Sequence, residues 1–253
     1  MKRINQAIYT LSLALLISFS SLLVRIALPA SAPVDSQAIA LPIVMYHHIL
    51  KEQARLNAFT ISPDELRQDL QYLKENGYQS ILIQDLIDYV NGETALPEKP
   101  VMITFDDGYE SFYEYAFPIL KEMGFKAVLS VVGTYADRYS CMDDHHICYS
   151  HCTWNESESV YRQVLISDIG KMQDECRKNL DRWLPTAFAY PYGQISEEAL
   201  PVLKEMGFKA ALTCTEKINY LTGDPEELYH LNRFNRPHGT SFQRILENAS
   251  RGR

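Results

Sequence analysis

One ten-residue phrase occurs three times in this chain, and it restricts the fold more than any other feature. It runs Leu73 to Leu82, Leu120 to Leu129 and Leu203 to Leu212, each time as Leu-Lys-Glu-x-Gly-aromatic followed by a short apolar stretch. The reading is the same in each copy. A helix ends in Leu-Lys-Glu, a glycine (Gly77, Gly124, Gly207) takes the left-handed position after the last turn, and an aromatic residue opens the next strand. Helix followed at once by apolar strand, repeated, means βα units and a mainly parallel sheet. Helix starts agree: Ser62-Pro63-Asp64-Glu65 reads as a capping box with proline at the first helical position. Leu66, Leu70 and Leu73 then recur at helical spacing. Ser196-Glu197-Glu198 opens a second helix, and a long one is expected over about 160–182. Strands are expected at 41–46, 80–83, 100–105, 126–132, 186–190, 209–214 and 228–234. About seven strands alternating with helices predict an α/β fold, a closed or nearly closed (β/α) barrel whose site lies at the C-terminal strand ends.

The length of 253 residues suits one such domain plus an N-terminal segment. Lys2 and Arg3 precede an apolar stretch from about Ile8 to Val24, with Ala30-Ser31-Ala32 after it. That layout predicts an export signal. Pro33 would hinder cleavage, so an uncleaved membrane anchor is the alternative. Residues 1–40 are therefore set apart from a domain over 41–253, with an exported location, extracellular or on the outer face of the cytoplasmic membrane. The net charge of −8 argues against nucleic acid or an anionic membrane surface as main partner. Any membrane contact is expected through the N-terminal segment alone. Of five cysteines, Cys141, Cys148 and Cys152 cluster with His145, His146 and His151. No Cys-x-x-Cys spacing supports a structural zinc site there.

Three polar clusters fall at expected strand ends. Asp106 and Asp107 follow the run Pro100–Phe105, His47 and His48 follow Ile43–Tyr46, and Tyr190-Pro191-Tyr192-Gly193 follows Thr186–Ala189. Adjacent carboxylates repel, so one must be protonated, solvated or neutralised by a cation. A metal-assisted site resolves that conflict by giving one carboxylate to the ion and leaving its neighbour as a base. Solvated aspartates in an ordinary turn are the plain alternative.

Thr104-Phe105-Asp106-Asp107-Gly108 resembles the first motif of the polysaccharide deacetylases, the NodB-homology or carbohydrate esterase family 4 group. Met45-Tyr46-His47 and Phe188-Ala189-Tyr190-Pro191-Tyr192-Gly193 look like the subgroup with exopolysaccharide and poly-N-acetylglucosamine deacetylases. The resemblance covers roughly residues 41–240. It implies a hydrolase that removes N-acetyl groups from an extracellular or cell-wall polysaccharide. Asp106 would be the general base that activates water, Asp107 a ligand of a divalent ion such as zinc, and His47 the general acid. The backbone N–H of Tyr192 would help hold the oxyanion.

The family's pair of metal histidines is not found in its expected setting. Trp154-Asn155-Glu156-Ser157-Glu158 runs almost directly into an expected helix, so a few tens of residues, with one strand, are expected to be missing and the barrel to be distorted and incomplete. His146 and His151, offset by five, are the candidates to replace the pair. Ala189 stands where many family members carry an arginine that orients the base, and no Asp-x-x-Asp-Trp segment is present to orient the acid. His230 and His238 are spare acid candidates. The competing reading is a catalytically impaired, truncated member or a non-catalytic carbohydrate-binding remnant.

Overall fold

The computed structural model describes residues 38–131 and 157–251. The strands are β1 (Ile39–Leu41), β2 (Ile43–Tyr46), β3 (His48–Ile49), β4 (Thr60–Ile61), β5 (Gln79–Ser80), β6 (Pro100–Phe105), β7 (Val128–Leu129), β8 (Ala187–Ala189), β9 (Ala210–Leu212), β10 (Asn219–Leu221) and β11 (Phe234–Asn235). The α-helices are α1 (Pro63–Glu75), α2 (Ile83–Val90), α3 (Phe117–Met123), α4 (Glu158–Asn179), α5 (Ala199–Glu205) and α6 (Phe242–Arg251). This is a mixed α/β fold.

Its centre is parallel. β6 pairs with β2 over four residues, from Ile43 opposite Met102 to Tyr46 opposite Phe105. β11 lies on the other side of β2. β5 pairs with the start of β6 and β7 with its end. β8 pairs with β9, and Leu212 of β9 bridges Leu231, three residues before β11. Both faces of the β2–β6 pair are covered, which is why these strands read as unbroken apolar runs. Val44, Tyr46, Ile103 and Phe105 pack with Leu66, Leu70 and Leu73 of α1, Ile119 and Leu120 of α3, and Phe242 and Leu246 of α6. Ile43 and Met102 face the opposite way, onto Leu41, Ala210, Leu212, Leu221, Leu228 and Leu231. A third cluster joins Tyr161, Leu165 and Ile169 of α4 to Val202, Leu203 and Phe208.

The local signals read from the sequence have their physical counterparts. Ser62 Oγ accepts from Glu65 N, and the Glu65 carboxylate accepts from Ser62 N, closing the capping box. Gly77, Gly124 and Gly207 adopt φ of 75°, 79° and 93°. The long helix runs Glu158–Asn179. Two expectations are corrected. The strand expected over 80–83 stops at Ser80, because Asp85 takes the Leu82 N–H at 2.6 Å and starts α2 there. Ile83 and Leu86 are then buried as one helical face. The strand expected over 228–234 starts inside a 3₁₀ helix, Pro225–His230, opened by Asp224 accepting from Glu226 N, and β11 begins only at Phe234. Its apolar residues Leu228 and Tyr229 are buried by that turn rather than by a ladder. Sequence reading also missed β10, which pairs antiparallel with β1, so the folded body begins at Ile39, ahead of the expected start at 41. Among the described residues no helix is long and apolar enough to cross a membrane. The apolar segment 8–24 and the cysteine–histidine cluster at 141–152 lie outside the described residues.

Candidate active site

The parallel register of β2 and β6 brings His47 and Asp106 side by side. Tyr46 is level with Phe105, and the ladder continues past both strands through Asp106 N donating to Tyr46 O at 2.9 Å. Chain direction then turns sharply at the aspartates. Asp107 and Gly108 both have φ of 70°. A left-handed aspartate is uncommon and costs about 1–3 kcal/mol, a strain that clusters at functional sites.

A buried arginine organises this rim. Arg233, 1% exposed, donates from Nη1 to Asp106 Oδ1 at 2.7 Å. Its Nε donates to Thr213 O at 2.9 Å, Nη1 also reaches Thr104 Oγ1 at 3.3 Å, and Nη2 lies 3.8 Å from Cys214 Sγ. A guanidinium so held cannot swing away, and a charge-assisted bond to one oxygen of Asp106 fixes the carboxylate's orientation. This is a functional residue that sequence reasoning missed. The signal was its place in a stretch expected to be a strand, since an arginine that a strand buries must have a partner.

His47 sits in a half-buried site with its ring edge-on to Phe59, centroids 5.0 Å apart. Burial lowers its pKa below the usual 6.5; the negative charges of Asp106 and Asp107 oppose the shift and Arg233 adds to it. Next along the chain, His48 stacks on Tyr109, with centroids 4.3 Å apart. Burial lowers the His48 pKa as well.

The third cluster joins through a close backbone approach. Tyr190 N donates to Leu212 O and Gly193 N to Tyr190 O. Tyr192 has φ of 55° and is 67% exposed. A Cβ on Gly193 would lie 2.4 Å from Cys214 N, so only glycine lets this turn press on Cys214. The Tyr192 turn, Cys214, Arg233 and Asp106 thus form one run of contacts. His230 is exposed on the surface, and His238 is tied to Glu65 at 2.9 Å.

Among the described residues no three His, Cys, Asp or Glu side chains gather as a metal cluster. Zinc takes three protein ligands and an open position, so Asp107 with its described neighbours does not complete such a site. His146 and His151 lie outside the described residues.

A carboxylate pair and a histidine thus follow the C-terminal ends of parallel strands, and a buried arginine from the segment before β11 orients one of the carboxylates. Residues 93–211 match the family model described as polysaccharide deacetylase. Over that stretch the chain is similar to the polysaccharide deacetylases. It is 27% identical over 224 residues to the poly-beta-1,6-N-acetyl-D-glucosamine N-deacetylase of Escherichia coli (strain K12), a match that covers 67% of this chain and 33% of that protein. The chain thus spans about a third of that relative's length. In fold it is similar to a de-N-acetylase from Aggregatibacter actinomycetemcomitans, with a TM-score of 0.70 at 23% identity, covering 82% of this chain and 99% of that one. It is also similar to the Streptococcus pyogenes deacetylase PplD in complex with acetate, with a TM-score of 0.68 at 24% identity, covering 84% and 99%.

Proposed function

We propose that this chain is a metal-dependent hydrolase that removes N-acetyl groups from an exported or cell-wall polysaccharide of the poly-N-acetylglucosamine kind. The observation that carries the reading is the buried Arg233–Asp106 ion pair, which aims a carboxylate oxygen beside His47 at the strand ends. Asp106 takes a proton from the attacking water, whose oxygen adds to the acetyl carbonyl carbon. The backbone N–H of Tyr192 donates to the oxyanion that develops. As the C–N bond breaks, His47 gives its proton to the departing amine nitrogen, leaving acetate and a free amino sugar.

Asp107 would be a ligand of a divalent ion, zinc or a related metal, with His146 and His151 the candidates for the others. When bound, such an ion lowers the pKa of water toward ~7 and polarises the carbonyl. The finer architecture is a distorted, incomplete (β/α) barrel of about seven strands. The N-terminal 40 residues act as export signal or anchor. The names of the relatives favour the enzyme over the non-catalytic remnant. Metal content tests the ligand set: the purified full chain, dialysed against zinc, holds one ion, and Asp107→Ala, His146→Ala and His151→Ala each lose it. Retention of the ion in all three variants contradicts this assignment.

A further inference from the structure

The residue that orients the acid has no counterpart in the sequence motifs, and two buried polar atoms indicate where it lies. Among the described residues, Nδ1 of His47 and Oδ1 of Asn235 are buried without a hydrogen-bond partner. Both belong to the same corner of the molecule. Asn235 is level with Met45 across the β11–β2 ladder. Met45 lies in β2, and His47 directly follows that strand, two residues further on.

The turn at 57–60 touches both residues. Asn235 Nδ2 donates to Ala58 O at 2.8 Å, and Phe59 lies against the His47 ring while its carbonyl accepts from His48 N. That turn is itself held firmly. Phe59 N donates to Asn57 Oδ1, and His238 N donates to Asn57 O. With Nδ2 committed to Ala58, the free group of Asn235 is an acceptor, which matches an imidazole Nδ1–H.

We propose that Asn235 is the positioning residue of His47, its Oδ1 accepting the Nδ1–H of the imidazole directly or across one water. The bond satisfies both buried atoms at once. It also fixes the tautomer. With Nδ1 holding a proton permanently, Nε2 is the nitrogen that gains and gives the proton used on the leaving amine. The role rests on His47 being the acid, whereas the pairing itself is independent of activity.

The test is a long-range 1H–15N correlation spectrum of the 15N-labelled chain, with His47→Gln to assign the ring. Neutral His47 in the wild type is expected as the Nδ1–H tautomer. Asn235→Leu loses that preference and lowers kcat at least about ten-fold with KM unchanged, since a wrong tautomer presents no proton where it is needed. Asn235→Asp, which keeps an acceptor, retains the tautomer. A wild-type Nε2–H tautomer overturns the proposal, and that spectrum decides even where the leucine variant does not fold. An unchanged tautomer in folded Asn235→Leu overturns it too, as does an unprotonated Nδ1 whose resonance moves on adding zinc, which would make it a ligand. A tautomer shift in a chain without deacetylase turnover would leave the pairing standing and refute the proposed function.

Discussion

At the scale of the residue, Arg233 is the side chain on which the site depends. It spends its donors on Asp106, Thr104 and Thr213 from a position 1% exposed. Lysine carries the charge but cannot bond in several fixed directions from one planar group. Arg233→Lys is therefore expected to fold and to lose about 100-fold or more in kcat with little change in KM, read by acetate release at saturating substrate. Arg233→Met strips the partner from a nearly buried carboxylate and should cost about 3–5 kcal/mol in urea unfolding at neutral pH. Equal kcat for arginine and lysine would remove Arg233 from the account. Asp106 and Asp107 were legible in the sequence because two adjacent carboxylates before a glycine pose an electrostatic conflict. Which residues partner Arg233 was not legible, because Thr104, Asp106 and Thr213 lie 20 to 129 residues away and leave no local pattern.

At the scale of the element, the capping box of α1 does more than begin a helix. Glu65 also accepts from Gly239 N at 2.8 Å and meets His238 at 2.9 Å, which ties α1 to the segment before α6. Burial on its own would raise the Glu65 pKa; the backbone bonds from Ser62 and Gly239, the contact with His238 and the charge of Arg236 outweigh it and bring the value from the usual 4.5 to about 2. A carboxylate with a depressed folded pKa stabilises the fold above its unfolded value. That contribution fades as pH falls from about 4.5 towards 2. Glu65→Gln should thus cost about 1–2 kcal/mol at pH 7, after allowance for solvent screening, and almost nothing at pH 2. Paired denaturant titrations across that range measure it, and a difference independent of pH would contradict the assignment. The turn at Gly193 gives a second element-scale expectation. Gly193→Ala places a Cβ 2.4 Å from Cys214 N at φ of 70°. It should cost about 1–3 kcal/mol in thermal unfolding and slow turnover by displacing Tyr192. Elements governed by their own residues were legible: the capping box and the three glycine stops stand where the sequence puts them. The helix at Ile83 and the 3₁₀ turn at Pro225 were not, because short apolar runs suit a strand or a helical face equally and Asp85 and Asp224 decided between them.

At the scale of the whole molecule, parallel pairing of β2 and β6 sets His47 and Asp106 on one rim, and Arg233, just before β11, reaches Asp106 with its side chain from a distant stretch of chain. The fold class followed from the repeated helix–glycine–strand phrase. The grouping of the rim residues required the register. The central claim is that this rim hydrolyses N-acetyl groups with Asp106 as base. Acetate release from N-acetylglucosamine oligomers by the zinc-, cobalt- or nickel-loaded full chain tests it most directly, with Asp106→Asn measured beside the wild type. The account predicts turnover by the wild type and none by Asp106→Asn. No turnover with any of the three metals, or equal turnover by both proteins, would contradict it.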